Sequence, residues 1–213
     1  MKIDLAKIRN DYTLNGLQRA DLSQNPLDQF QKWFSEVLSA EITEANAMVL
    51  STSVNHRPSG RIVLLKGLDA YGFVFFTNYL SQKGTAIAHN PLVSLTFFWK
   101  ELERQVRIEG KVEKLSESDS DEYFHSRPRG SQLGAWVSHQ SEVIDSREVL
   151  DRKLVEIEKR FEGQPIPRPS HWGGYRLLPD YAEFWQGRPS RLHDRFAYEL
   201  DKNGNWSISR LSP

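Results

Sequence analysis

Apolar positions first recur at helical spacing in residues 25–38, where Phe30, Trp33, Phe34, Val37 and Leu38 share a face behind Asn25-Pro26, a cap followed by proline at the first helical position. The spacing predicts a packing helix whose aromatics belong to the core. From Ala47 the period shortens to two. Segments 48–54, 60–65 and 72–77 are short, rich in β-branched and aromatic residues, and separated by turn formers at 55–60 and 69–72, so they read as successive antiparallel strands. A short helix is expected over 81–89, stopped before Pro91. A strand pair follows at 92–99 and 104–115, the second alternating Val106, Ile108 and Gly110 against Arg107, Glu109 and Lys111. Ser116, followed by Glu117 and Asp119, opens a helix that should stop near Ser126, before Pro128. Asp145-Ser146-Arg147-Glu148 opens a longer one with Leu150, Leu154, Ile157 and Phe161 as its apolar stripe and Gly163 as its stop. After a connector marked by Pro165, Pro167 and Pro169, closing strands are expected at 175–178, 181–185, 191–200 and 206–211, with Asn203-Gly204 as a hairpin turn. The first 24 residues are polar and weakly patterned, with a short helix expected around 4–11.

A succession of short antiparallel strands, with helices gathered near the N-terminus and in the middle, predicts a mainly β, α+β fold: a closed or partly closed β-barrel with packed helices. No repeat, low-complexity tract or composition shift divides the chain, so 25–213 reads as one domain behind an N-terminal segment, 1–24. Lys plus Arg equals Asp plus Glu, 28 each. That balance argues against a general binder of nucleic acid or membrane surface, so local basic clusters read as sites. The absence of cysteine excludes disulfides, thiol catalysis and thiolate metal sites. The six histidines are scattered without a pair at helical spacing, and no metal site is expected. No long apolar run suggests a membrane span, and Met1-Lys2-Ile3-Asp4 begins no signal peptide, which leaves the cytoplasm as the expected compartment.

The chemistry concentrates in Glu183-Phe184-Trp185-Gln186-Gly187-Arg188-Pro189-Ser190-Arg191-Leu192-His193-Asp194-Arg195-Phe196. On an extended backbone Arg191, His193 and Arg195 would project to one side, a row that suits a phosphate or a flat conjugated ring, with Trp185 offering a planar apolar surface nearby. The plainer alternative is a solvated edge strand with Trp185 and Phe196 in the core.

Glu-Phe-Trp-Gln-Gly, then after three residues Arg-Leu-His-Asp-Arg, resembles the signature of the pyridoxamine 5′-phosphate oxidase family, FMN enzymes that make pyridoxal 5′-phosphate. Further stretches resemble that family in its order: 61–66, 76–78, 102–106, 123–129 and 134–138. The resemblance implies an FMN-binding split barrel, antiparallel, assembled as a homodimer with FMN in the subunit cleft. The implied reaction takes two electrons from the 4′ carbon of pyridoxamine or pyridoxine 5′-phosphate and passes them through FMN to molecular oxygen, releasing hydrogen peroxide.

By the same resemblance Arg61 and Lys83 hold the FMN phosphate with Gln82 beside them, while Ile62, Val63, Leu64, Lys66, Phe76, Thr77, Gln105, Gln140, Ser141, Trp185 and Arg195 complete the flavin site. Lys66, Tyr123, Arg127 and Ser131 would cradle the substrate phosphate. Arg191 and His193 would lie over the pyridine ring as the catalytic pair, and Arg9 and Tyr12 belong to a lid that covers it. Arg61 and Lys66, five apart on a strand, should face different anions. Tyr123 and Arg127, four apart, should share a helix face. Read without the family, Arg61 is a strand-end surface charge and Tyr123/Arg127 a helix-surface pair. Two positions depart from the pattern: Gln82 and Asn10 stand where the family commonly has Arg. A split-barrel flavin reductase acting with a nicotinamide, or a non-catalytic carrier of flavin or pyridoxal phosphate, are the competing readings.

Overall fold

A computed structural model describes residues 11–14 and 16–213. The helix expected around 4–11 falls almost wholly on residues outside these, as do Arg9 and Asn10. In chain order the elements are α1 (Pro26–Ser39), β1 (Ala47–Val54), β2 (Arg57–Leu64), β3 (Gly67–Leu68), β4 (Phe73–Asn78), α2 (Gln82–His89), β5 (Leu92–Trp99), β6 (Arg104–Lys114), α3 (Glu117–Ser126), α4 (Arg129–Val137), α5 (Arg147–Arg160), β7 (Trp172–Gln186), β8 (Asp194–Leu200) and β9 (Trp206–Leu211). Backbone hydrogen bonds join the strands in the order β2-β1-β5-β6-β7-β4-β3, with β8 on β7 and β9 on β8. The result is an antiparallel sheet with several helices, an α+β arrangement whose strand path does not close among the described residues. No helix among those residues is long and apolar enough to cross a membrane.

The chain forms two compact units, and the boundary between them runs through β1, β5, β6 and β7. The first unit comprises Met1–Val49, Ser94–Glu109 and Pro179–Pro213. Here α1 starts as its sequence predicts, the Asn25 side chain accepting from the Leu27 amide. Phe30, Trp33 and Val37 are buried, Phe30 packing 4.9 Å from Phe97 and Trp33 edge-on to Phe184 at 5.2 Å. Leu38, assigned to the same stripe, is instead 58% exposed, because the stripe narrows at the last turn of the helix. The β8–β9 hairpin closes with Leu200 opposite Trp206. Asp201 accepts from the amides of Asn203 and Asn205, and Gly204 takes the left-handed φ of 82°.

The second unit comprises Leu50–Val93 and Gly110–Leu178. β4 pairs with the first half of β7, Phe73 opposite Leu177 through Asn78 opposite Trp172. Phe124, Leu133, Phe161, Ile166 and Trp172 form a core cluster on which Leu154 and Ile157 rest half-buried. No residue within α5 is fully buried, so its stripe is a shallow contact rather than a core seam. α4 escaped the periodicity reading, since nine residues behind Pro128 hold too few turns to show a pattern. Two expected strands, 175–178 and 181–185, are one: Pro179 suits an extended backbone and removes only a single ladder donor. The expected six-residue turn at 55–60 shrinks to Asn55-His56, with φ of 50° and 63°, and β2 begins at Arg57.

Candidate functional site

The second unit carries two adjoining cavities that share Asn78 and Gln140. The smaller, about 620 Å³, takes Ile62, Val63 and Leu64 from β2, Lys66 just beyond it, Phe76 and Thr77 from β4, and Lys83 from α2. Its far wall is Tyr123, Arg127, Ser131, Gln140 and Trp172. No aspartate or glutamate lines it. Among the described residues Lys66, Lys83 and Arg127 have no carboxylate partner. Phe76 and Tyr123 stack at 3.8 Å, and the Arg127 guanidinium lies 4.5 Å over the Trp172 ring. One terminal nitrogen of Arg127 is buried without a hydrogen-bond partner. Burial holds Arg127 below the usual arginine range and pushes the Tyr123 phenol up.

The larger cavity, about 1020 Å³, is lined among others by Thr52, Ser59, Arg61, Gln82, His139 and Ser141. Arg61 donates to the Thr52 hydroxyl (2.8 Å), the Ser59 hydroxyl (2.7 Å) and the Leu50 carbonyl (3.1 Å), all neutral acceptors. Arg61 and Lys66 line different cavities, but Lys66 lies beyond the end of β2, so strand alternation does not account for the division. Lys83 donates to the Gln140 carboxamide oxygen at 2.8 Å, and the Thr77 hydroxyl donates to the same oxygen at 3.2 Å. Burial first, and the charge of Arg61 second, hold Lys83 below the ordinary lysine value. The Gln82 amide donates to the Ser141 hydroxyl on the first turn of α2, which Ser81 caps. Partly desolvated cations with only neutral partners are costly, and a bound anion offsets that cost. The donor set therefore fits phosphorylated ligands, FMN among them.

The first unit holds the remaining candidates. Tyr12, Trp185 and His193 form an aromatic triad with centroids 5.6, 5.7 and 4.6 Å apart. The Arg188 amide donates to Nδ1 of His193 at 3.1 Å, which places the proton of the neutral ring on Nε2. Burial, followed by the Arg191 charge, keeps this histidine below its usual pKa and so in that neutral form. The single extended row expected through Arg191, His193 and Arg195 does not form. Pro189–Arg191 is a 3-10 turn with left-handed φ at Ser190 (59°) and Arg191 (61°), and the strand starts only at Asp194. Pro189 fixes the turn, and the hydrogen bond from the Leu192 amide to the Pro189 carbonyl (3.2 Å) completes it. Arg191 is exposed and has no hydrogen-bond partner among the described residues. Arg195 sits opposite Trp185 on β8 and donates through Nε to Glu183 at 2.7 Å, a bond that raises its pKa above the usual arginine value. The side chain of Gln105, half-buried on β6, makes no hydrogen bond to a described residue.

One residue that sequence reasoning passed over is Glu103. Its two carboxylate oxygens accept from the amides of Thr13 (3.2 Å) and Leu14 (3.1 Å), next to Tyr12. Asp194 does the same for Leu17 at 3.0 Å. A Cβ at Gly187 would fall 2.7 Å from Cγ of Tyr12, so the absence of a side chain there is what lets the segment lie so close. The only signal for Glu103 was its place inside the 102–106 motif, which carries no role by itself.

Residues 34–161 match the family model described as pyridoxamine 5′-phosphate oxidase. The chain belongs to the pyridoxamine 5′-phosphate oxidase family. A second model, described as the pyridoxine 5′-phosphate oxidase C-terminal dimerisation region, matches residues 172–213. Against the pyridoxine/pyridoxamine 5′-phosphate oxidase of Nostoc sp., this member of the pyridoxamine 5′-phosphate oxidase family is 57% identical over 210 residues, 98% of each chain. Against that of Ralstonia pickettii it is 56% identical over 210 residues, 98% of this chain and 99% of the other. Among solved structures, PhzG from Burkholderia lata 383, in complex with tetrahydrophenazine-1-carboxylic acid, superposes with a TM-score of 0.88 at 29% identity, covering 96% of this chain and 100% of that one. A pyridoxamine 5′-phosphate oxidase-related, FMN-binding protein from Nostoc punctiforme shares the fold at a TM-score of 0.70 and 16% identity, covering 90% and 100%.

Proposed function

We propose that this chain oxidises pyridoxamine and pyridoxine 5′-phosphate to pyridoxal 5′-phosphate, using FMN and molecular oxygen, as a homodimer with FMN in the subunit cleft of a split barrel. The observation that carries this reading is the carboxylate-free cavity lined by Lys66, Tyr123, Arg127 and Ser131, in a chain of this family. Those four would clamp the substrate phosphate. Arg61, Gln82 and Lys83 would hold the FMN phosphate, with Ile62 to Leu64, Lys66, Phe76, Thr77, Gln105, Gln140, Ser141, Trp185 and Arg195 along the flavin. When bound, FMN supplies the two-electron acceptance that no side chain here offers.

The residues of the chain then hold, orient and exclude water. Arg191 and His193 lie over the pyridine ring, His193 presenting its Nε2 hydrogen as a donor because Nδ1 is already accepting from Arg188. Tyr12, packed against Trp185 and His193, would cover the bound ring as part of the N-terminal lid that the family resemblance implies. A hydride would leave the 4′ carbon for bound FMN, and a proton leaves the substrate hydroxyl or amine, giving the aldehyde directly from the alcohol. With the amine substrate the resulting imine takes up water and releases ammonia and the aldehyde, and oxygen accepts the two electrons with two protons as hydrogen peroxide. The deciding experiment is to purify the protein, record its flavin absorbance, and follow oxygen uptake and peroxide with each vitamer phosphate. A nicotinamide-dependent reductase or a carrier would release no peroxide on adding pyridoxine 5′-phosphate.

Two further outcomes follow from the site. Gln82→Arg restores a charge on the first turn of α2 beside the FMN-phosphate cradle. FMN should then bind about tenfold more tightly, the worth of roughly one charge-assisted hydrogen bond, in titrations of the apoprotein. Equal dissociation constants would show that position 82 does not meet the phosphate. Glu103→Ala removes both acceptors of the Thr13 and Leu14 amides. The expected result is a KM for substrate raised roughly three- to tenfold with FMN content unchanged, since the carboxylate holds the lid rather than the flavin. An unchanged KM would separate that contact from substrate binding.

A further inference from the structure

The signature stretch begins with a glutamate to which the proposed chemistry gives no task. Glu183 is 3% exposed, and a carboxylate in that position needs a reason. Its surroundings supply one. β8 brings Arg195 to one side, Nε donating to Oε1 at 2.7 Å. β6 brings Arg107 to the other, Nη2 lying 3.1 Å from Oε2, and the Tyr181 hydroxyl donates to that same oxygen at 3.4 Å. Arg107 has a second carboxylate, Glu109, at 2.9 Å. Arg195 has no other carboxylate among the described residues, and its Nη1 donates to the Ser212 carbonyl at 2.8 Å. The guanidinium is therefore pinned through Nε and Nη1, and its Nη2 is left without a partner among the described residues.

We infer that Glu183 is the positioning residue for Arg195: it fixes the guanidinium plane so that the unpaired edge is presented to the flavin in a single orientation. This rests on the proposed placement of Arg195 at FMN. A planar fork gives its full return only when its plane is set in advance, and a buried carboxylate on Nε sets it. Arg107 serves Glu183 differently, as a second neutralising charge that is itself shared with Glu109.

The test is a double-mutant cycle read by FMN binding to the apoprotein, followed as quenching of flavin fluorescence, with urea denaturation of each apoprotein alongside. Glu183→Gln should weaken FMN roughly tenfold and Arg195→Met roughly a hundredfold, and the double variant should match Arg195→Met within about twofold. Wild-type affinity in Glu183→Gln, or a loss that adds in full to that of Arg195→Met, overturns the inference. Arg107→Met supplies the readout that a merely structural carboxylate would fail: FMN affinity should stay within about twofold although the same carboxylate has lost a cation. A tenfold loss there overturns the assignment, and this variant decides the matter if Glu183→Gln does not fold. An unchanged FMN affinity in Arg195→Met removes Arg195 from the flavin site and the inference with it, a result distinguishable from failure at Glu183 alone.

Discussion

Replacing Arg191 by Met is expected to lower turnover about 10²- to 10³-fold while FMN content and melting temperature stay at their wild-type values. The reason is the isolation of this side chain. Arg191 is exposed, sits in a left-handed turn behind Pro189, and donates no hydrogen bond to any described residue. Its removal leaves no buried group unpaired, so folding has nothing to lose beyond a solvated charge. On the proposed placement it would lose a cation over the pyridine ring, where a preorganised donor at a reacting centre is typically worth about two to three powers of ten in kcat. Steady-state oxygen uptake, bound-flavin absorbance and a thermal melt on one preparation check all three parts. Loss of flavin with turnover intact would mean that the roles of Arg191 and Arg195 have been exchanged.

Arg195→Met should behave in the opposite sense, losing flavin first. FMN affinity is expected to fall by about a hundredfold, the loss of a charge-assisted fork. The protein should also be less stable without cofactor, because Glu183 stays 3% exposed and loses the shorter of its two ion pairs. Removing one partner of a buried pair commonly costs about 3 to 5 kcal/mol. Arg107 remains 3.1 Å away and offsets part of that, so a loss of about 1 to 3 kcal/mol in urea denaturation of the apoprotein is the expected result. Wild-type apoprotein stability would show that Arg107 alone satisfies the carboxylate.

Much of this architecture could be read from the order of residues. Helix α3 begins after Ser116 and stops at Ser126 as the acidic first turn and Pro128 require, and β5 occupies the expected span. The alternation in β6 translates directly into buried Val106, Ile108 and Gly110. What was not legible depended on contacts distant in sequence. Extended alternation through 191–195 assumed a strand, whereas Pro189 and two left-handed residues make a turn there. Periodicity does not show that Glu103 reaches the amides 89 and 90 residues before it. Nor does it reveal that the glutamate of the signature lies between two arginines carried by different strands.

The carboxylate-free lining around Lys66 and Arg127 carries a last implication. Cations and neutral hydroxyls recognise doubly charged oxyanions as a class, whatever they are attached to. On the proposed assignment, telling one ester from another would fall to the ring that follows the phosphate, and inorganic phosphate or sulfate in the medium would compete for the same seat. An alcohol or amine that has not yet been phosphorylated would leave those charges unanswered. With that assignment, phosphoryl transfer to the vitamer would come before oxidation in any reaction sequence that uses this protein.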